Sequence, residues 1–495
     1  MQLVGLVEAE RQRDRGSGLP WLIRAWFTLE ARFVAREPTR SVQGPHPAPI
    51  GVQDRAAIAA LGLDVLLDLT GSCGEGVDTS WARHGVWFTD CQGAQRGAAG
   101  FRSLARGWDI APLSLFRRVS GASGIEPIAT AAVNPKYLAA RNELFLKEKS
   151  VALVLRELRR MALTGRPGSS RNSAFEPFDR PRASEFIRYL GAVVAESGRR
   201  LAQKVLARLG LRPGMFMIQS LSGELLGFDP AQGRANLPGA NAYQADPFLW
   251  QNGGRTYCFF EDYDYRSACG HICVGVLENG LLGEVRAAIR PGYHLSFPFV
   301  FEHDGQLYMM PESCSKQRIE IWRCTGFPDR WELHSTAMEG VVTADSSIAE
   351  IDGHWWLFTN ISADPFGDVN SELHIFRLDG PNLASITPHL LNPVVFDART
   401  ARNAGRIIRQ GDAYYRPAQE NSHGTYGYGI NLMRIEGLAL DGYRESLART
   451  IQPDFAPGLI GCHHLDIRGD VIVFDVRKRY GGRYSRRRAK KARAA

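Results

Sequence analysis

The chain has no run of 18 uninterrupted apolar residues, so no membrane-crossing helix is expected. It has no C-x-x-C pair. The eight cysteines are scattered, and Cys269 and Cys273, four apart, do not have zinc-knuckle spacing. Their apolar surroundings are those of reduced thiols. It has no G-x-G-x-x-G either: the loop GSCGEG behind LDVLLDLT (63–70) is glycine-rich with different spacing, and a plain strand-to-helix turn is its simpler explanation. The opening MQLVGLVEAERQRDR turns charged at once, so no secretion signal is expected, and a cytoplasmic or membrane-peripheral location is. From Arg477 onward there is no acid but ten Lys/Arg; the remaining 50 basic residues face 52 acidic ones. The net charge of +8 therefore belongs to a tail. This argues against a specific nucleic-acid surface on the folded body and leaves an anionic membrane as a partner the tail could meet.

What is present begins with alternating strand-like and helix-like segments over 1–163. LDVLLDLT and HGVWF (84–88) are short apolar runs, and KEKSVALVLRELRRMAL (147–163) has helical apolar spacing. Residues 164–235 are expected to be a Gly/Pro/Ser-rich linker followed by an amphipathic helix over about 183–209, able to pack on the body or to lie on a membrane surface.

Over 236–480 the pattern changes. DPFLWQNGGRTYCFFEDYD, FPFVFEHDGQLYMMPES, DSSIAEIDGHWWLFTNI, AGRIIRQGDAYYRPAQE and HHLDIRGDVIVFDVR each place one glycine turn between two apolar runs. The turn glycines are Gly254, Gly305, Gly353, Gly411 and Gly469, spaced 51, 48, 58 and 58 residues apart. A period near 50 in all-β sequence predicts a propeller, here with five blades, because one hairpin cannot bury its own face. Residues 481–495 are the basic tail.

Propeller geometry brings equivalent strand ends to one central channel. The polar residues there are Asp246, His294, Ser296, Asp345, Arg402, His463 and His464 at first strands, and Glu261, Asp262, Glu312, Asn360, Gln419 and Glu420 at second strands. Paired carboxylates beside Arg and His suit glycosyl chemistry, in which one acid stays protonated and another ionised. Asp246, Glu312 and Asp345 are the catalytic candidates. His294, Arg402, Arg416, Gln419 and His463 are the binding candidates, with Tyr426 and Trp250 for stacking on a sugar face. The alternative is that Asp246 and Asp345 cap turns and Glu312 pairs with an arginine. No cofactor or metal is expected.

The segments ADPFLW, FFEDYD, GHICVGVL, YHLSFPFVFEHDGQLYMMPES, WRCTGFPDRWEL, ADSSIAEIDGHWWLF, ARNAGRII and YYRPAQENSHGTYGYGI resemble the N-terminal region of plant glucosamine inositolphosphorylceramide transferases, over roughly 236–450. The resemblance implies a furanosidase-type five-bladed propeller and work on a sugar or glycolipid. It also implies a first-blade Asp as base, matched by Asp246 in ADPF, with Glu312 and Asp345 placed by blade alone. In the plant proteins the transferase site lies in a separate C-terminal domain, to which nothing in this chain corresponds. DVLLDLTG, ARHGVWFTDCQGAQRGAAGF and RNELFLKEKS resemble a formyltransferase-like α/β (Rossmann-like) domain, with Val86, Phe88 and Asp90 where active members carry Asn, His and Ser. Without that histidine no formyl transfer is expected. The function expected is a carbohydrate-active, glycosyltransferase-like protein of surface-glycan or glycolipid assembly. A non-catalytic glycan-binding propeller and a furanoside hydrolase are the alternatives.

Overall fold

The computed structural model describes residues 6–8, 21–34, 49–51, 53–69, 77–90, 98–120, 124–170, 175, 182–208, 214–239 and 242–479. The loop GSCGEG, residues 91–97 of the stretch ARHGVWFTDCQGAQRGAAGF and the basic tail lie outside the described residues. The chain forms two compact units, up to Arg199 and from Arg200.

In the first unit a four-stranded sheet runs in the order Leu66–Leu67, Val86–Thr89, Ala111–Arg118, Ile125–Val133. Its first pair is parallel and the others antiparallel. Val86–Thr89 is buried along its whole length, as a strand covered on both faces must be. Beside the sheet, Phe27, Phe101, Ala139 and Tyr189 form an apolar core among helices. The long helix Ala139–Thr164 starts without a side-chain cap of its own. Instead, the Glu30 carboxylate accepts the Ala140 N–H and the Tyr189 hydroxyl, whose oxygen accepts the Ala139 N–H. These fill amides that have no acceptor within the helix. The predicted amphipathic helix is Ala183–Arg208, and it contributes Phe186, Tyr189, Leu190 and Val193 to this core. Among the described residues no helix is long and apolar enough to cross a membrane.

The second unit is a series of antiparallel sheets. Blade 1 is Ala242–Asn252, Arg255–Asp264, Cys269–Glu278 and Leu281–Ile289. Blade 2 is Ser296–His303, Gln306–Glu312, Ile319–Gly326 and Arg330–Ala337. Blade 3 is Val342–Ile351, His354–Ser362, Leu373–Leu378 and Ile386–Pro388. Blade 4 is Ile408–Gln410, Ala413–Glu420, Gly429–Ala439 and Gly442–Ile451. In blade 5 the segments Leu459–Gly461 and Leu465–Arg468 make one interrupted first strand, followed by Val471–Arg479. That strand then pairs with Gly214–Ser222, which pairs with Arg234–Asn236. But for Asn236, these last two strands lie inside 164–235, the stretch expected to hold only linker and helix. The pairing of Gly214–Ser222 with Val471–Arg479 joins residues about 250 apart, and no local turn signal announces such a contact.

Apolar clusters join the sheets in sequence and back to the start. Phe259 and Val274 pack with Val300 and Met309; Phe299 and Met310 with Ile348 and Leu357; Phe358 and Ile375 with Ile407 and Ile435. Leu432 and Ile430 pack with Ile472 and Phe474, and Ile218 and Val473 with Leu249 and Phe260. This is a ring of five blades, with the inner strands of each sheet buried on both faces. The five turn glycines have φ between +61° and +74°, a region that strains any residue with a Cβ. At the axis, Arg406 donates to Asp466 of blade 5 (2.6 and 3.0 Å) and to the carbonyls of Leu249 in blade 1 and Val300 in blade 2. The first strands therefore surround one channel.

Candidate functional site

Three first strands carry the same irregularity near their N-terminal ends. Ladder register slips at Asp246-Pro247, Phe297-Pro298 and Asp345-Ser346, so each pair opposes one residue of the second strand. Asp246, Phe297 and Asp345 have φ of 53°, 46° and 46°, in the left-handed region that non-glycine residues seldom occupy. These are β-bulges, which re-aim side chains and leave an N–H outside the ladder. Each freed amide finds an acceptor on the preceding blade. Asp246 N–H donates to Asp475 Oδ2 (3.1 Å), Phe297 N–H to Asp246 Oδ2 (3.1 Å) and Asp345 N–H to Glu312 Oε2 (3.1 Å). The bulges and the acids thus hold each other around the channel mouth.

Around them the other polar groups converge. Arg402 donates from Nε to Asp345 Oδ2 at 2.6 Å and lies 3.7 Å from Glu312. Gln419 donates to the same Asp345 oxygen at 2.9 Å. His463 Nδ1 sits 2.8 Å from Asp475 Oδ1, and its Nε2 is 3.5 Å from Asp246 Oδ1. Tyr243 donates to Glu261 Oε1 at 3.1 Å, and His294 stands 3.8 Å from the same oxygen. Tyr426 is 39% exposed at the mouth, its ring 5.0 Å from the Arg402 guanidinium and 5.4 Å from the His463 ring. Phe216 and Tyr243 add further aromatic rim.

Acids outnumber cations here, and burial amplifies the imbalance. Burial and the Asp345 and Asp475 charges push Asp246 up to about 7, against the pull of His463. Burial and the Asp345 charge push Glu312 up to about 8, against the pull of Arg402. Burial and the Asp246 charge hold Glu261 well above the usual carboxylate range. Burial alone would lower His463, but Asp475 and Asp246 hold it at about 8. Asp475 goes the other way: burial would raise it, but His463 and the backbone N–H groups of His463 and His464 keep it below its ordinary value. Asp246, His463 and Asp475 each offer a donor atom within 4.8 Å of the others, a spacing that a cation could bridge.

The structure brings Asp246, Glu312, Asp345, Arg402, Gln419, His463 and Tyr426 to this mouth, with His294 at its edge. Two expected members are elsewhere. Arg416 precedes Gln419 by three positions, so strand alternation points it to the opposite face. There it is fully enclosed, donating to Glu445 at 2.7 and 3.0 Å and to the carbonyls of Thr400 and Ala401. Trp250 lies four residues beyond Asp246, roughly 13 Å further along the strand, at the other end of the channel. Asp475 is not among the expected channel residues, and Glu261, expected at a strand end, carries no expected catalytic or binding role. Asp475 was readable in VFDVR, at the strand position that FFED and MMPES occupy in blades 1 and 2.

The fold and the site define a five-bladed propeller with an acidic channel mouth. Residues 233–454 match the family model described as glucosamine inositolphosphorylceramide transferase 1, N-terminal. The glucosamine inositolphosphorylceramide transferase 1 of Oryza sativa subsp. japonica is 35% identical over 207 residues, covering 41% of this chain and 27% of that protein. The Arabidopsis thaliana protein of the same name is 31% identical over 235 residues, 46% of this chain and 30% of that one. The chain thus spans less than a third of the length of these relatives. Among solved structures, an α-L-arabinofuranosidase from Lactobacillus brevis is 15% identical with a TM-score of 0.34, covering 47% of this chain and 90% of that one. The family 117 glycoside hydrolase Zg3597 of Zobellia galactanivorans is 12% identical with a TM-score of 0.35, covering 57% and 98%. The blade assignment rests on the sheet topology itself.

Proposed function

We propose that the acidic mouth binds a sugar and carries out glycosyl chemistry on a glycolipid or surface glycan, with transfer ahead of hydrolysis. The observation that carries this is the convergence of Asp246, Glu312 and Asp345 on one mouth, two of them set on bulges, with Arg402 the guanidinium between Asp345 and Glu312. Glu312, held near 8, keeps a proton at neutral pH and can donate it to a leaving-group oxygen as the glycosidic C–O bond breaks. Asp246, near 7, can take the proton of an acceptor hydroxyl, with His463 Nε2 beside it. Tyr426 offers an exposed ring to an apolar sugar face. The relatives' name speaks of glucosamine and inositolphosphorylceramide, and a substrate of that sugar-and-glycolipid class is the one proposed here.

A second reading is glycan binding without turnover. It is favoured by Asp475, whose oxygens accept the backbone N–H groups of Asp246, His463 and His464 and so act as a brace. One experiment separates the two: mass spectrometry of acceptor glycolipids after incubation with nucleotide sugars, alongside a glycan array. Sugar mass gained with wild type and lost in Asp246→Asn and Glu312→Gln supports transfer. No turnover, with array binding lost in both variants, supports binding only. Neither turnover nor binding would refute both readings.

We further propose that the first unit is a formyltransferase-like domain without formyl transfer. Val86 and Phe88, in the slots of the missing groups, are buried in the sheet, and Asp90 accepts the Ser114 N–H while burial pushes it up to about 6. Formylation of an amino-sugar nucleotide by the purified chain would overturn this. The basic tail is proposed to meet an anionic membrane, which vesicle co-sedimentation with and without residues 481–495 would test.

A further inference from the structure

The channel has a second mouth, at the C-terminal ends of the first strands. A cavity of about 390 Å³ opens there, with contributions from every blade: Trp250, Phe301, Trp355, Tyr414 and Arg468 among them. It is separated from the acidic mouth by a filled waist. Phe248, Phe297 and His464 are fully buried there with ring centroids 4.5 to 5.1 Å apart, and the Arg406–Asp466 pair lies on the same axis.

The polar groups of this mouth are arranged differently from those at the first. Arg406 is neutralised by Asp466. Arg468 has no such direct contact: its Nε is buried without a hydrogen-bond partner, its guanidinium lies 5.0 Å from the Trp250 ring, and Asp466 and Glu302 act on it only from beyond ion-pair distance. Arg409 lies 5.8 Å over Tyr414 and donates to the Gly411 carbonyl at 3.2 Å. Among the described residues, neither Arg409 nor Arg468 makes an ion pair with a carboxylate. Glu302 and Glu350 line the same cavity and are exposed. Two guanidinium groups beside a cavity with no carboxylate in direct contact favour an acid group brought in by a ligand.

We propose that this second mouth binds an acidic sugar, a uronate or sugar phosphate, distinct from the ligand of the acidic mouth. Its acid group accepts from Arg468 and Arg409, its hydroxyls donate to Glu302 and Glu350, and its apolar face lies against Trp355 or Tyr414. A neutral sugar leaves Arg468 without a direct acid partner. A bare phosphate leaves the aromatic walls unused.

The test is ¹⁹F NMR on the full chain carrying 5-fluorotryptophan, with Trp250→Phe and Trp355→Phe identifying the two signals. The probes are glucuronate, glucose 1-phosphate, methyl β-glucoside and inorganic phosphate. At least one acidic sugar should shift both signals saturably, and the tighter of the two identifies carboxylate or phosphate as the preferred acid. Arg468→Gln should weaken that binding at least about tenfold, and Asp345→Asn, at the other mouth, should leave it unchanged. If Arg468→Gln does not fold, Arg409→Gln should weaken it instead. The proposal is overturned if neither acidic sugar moves the signals at about 20 mM, or if methyl β-glucoside or inorganic phosphate binds as tightly. It is equally overturned if binding survives the arginine change or vanishes with Asp345→Asn.

Discussion

Arg402 and Arg416 both belong to blade 4, both are buried, and both face glutamate, yet their surroundings differ in kind. Arg416 meets one carboxylate, Glu445, in a two-point contact, and carbonyls and the Asn403 side chain take its other N–H groups. Charge there is balanced, and each donor has an acceptor. Arg402 is one cation facing Asp345 and Glu312, in a cluster with Asp246, Glu261 and Asp475 close by. Charge there is unbalanced, and the excess appears as carboxyls that hold protons near neutral pH. A balanced buried pair locks a fold, while an unbalanced acidic cluster retains protons and lone pairs for a ligand.

The largest effect that could break this contrast is on stability. Glu445→Ala strands the Arg416 charge inside blade 4 and should lower unfolding free energy by about 3–5 kcal/mol in urea titrations. Glu312→Gln removes a partly protonated acid while keeping an acceptor for the Asp345 N–H, and should change stability by no more than about 1 kcal/mol. If the two magnitudes were reversed, the mouth would be the structural cluster.

Second in size is the effect on function. Asp246→Asn and Glu312→Gln should each lower turnover by about 10²-fold or more if the mouth is catalytic, since each removes a proton-transfer group. If it only binds, glycan affinity should fall about tenfold instead, by titration calorimetry. Arg416→Lys is not expected to move either quantity in protein that remains folded.

A smaller effect is the pH dependence of stability. Asp246 and Glu312 have folded-state pKa values raised to about 7 and about 8, and His463 is raised to about 8. A raised value means that the folded state holds protons more tightly than the unfolded chain. The contribution is full below the unfolded value, near 4 for the acids, and is lost as pH rises through the folded value. Unfolding free energy should therefore fall as pH rises from about 4 to about 8, and Glu312→Gln should shrink that fall, by an amount on the order of 1–3 kcal/mol between pH 6 and pH 8. An unchanged slope in the variant would mean that Glu312 is ionised throughout. His464, lowered to about 4 by burial, works in the opposite direction, costing stability as pH falls from about 6.5 toward 4.

Why the two arginines could be confused from sequence is a matter of register. The turn glycines and their period were legible because a hairpin needs a positive-φ residue at a fixed place, and Gly254, Gly305, Gly353, Gly411 and Gly469 all supply it. Polar residues at strand ends were legible for the same reason. Which face a first-strand residue takes was not, because one bulge reverses the alternation along the rest of a strand; Arg416, on an unbulged second strand, was already set on the other face by standing three residues from Gln419. ADPF, SFPF and ADSS mark the three bulges, but their meaning depends on pairing with second strands about 15 residues away. Blade 5 was legible only in part, because two of its strands, Gly214–Ser222 and Arg234–Asn236, pair locally with each other but join Val471–Arg479 across about 250 residues.

The smallest expected effect concerns Tyr426, and it sharpens the contrast at the rim. The ring is exposed on one side and held on the other by the Arg402 guanidinium and the His463 ring. It follows His423-Gly424-Thr425 in a loop of blade 4, and Gly427 after it has φ of 61°. A Cβ at Gly427 would stand 2.5 Å from the His463 Cβ, so the loop is pressed onto the histidine and the tyrosine has a defined place. An exposed aromatic held in this way contributes stacking area with little further ordering cost on binding. Tyr426→Ala should therefore weaken glycan affinity by about three- to tenfold, on the order of 1 kcal/mol, with melting temperature little changed. Tyr426→Phe keeps the ring and should bind within about twofold of wild type. Equal losses in both variants would assign the effect to the hydroxyl. No loss in either would place the sugar away from this rim and confine recognition to the carboxylates and Arg402.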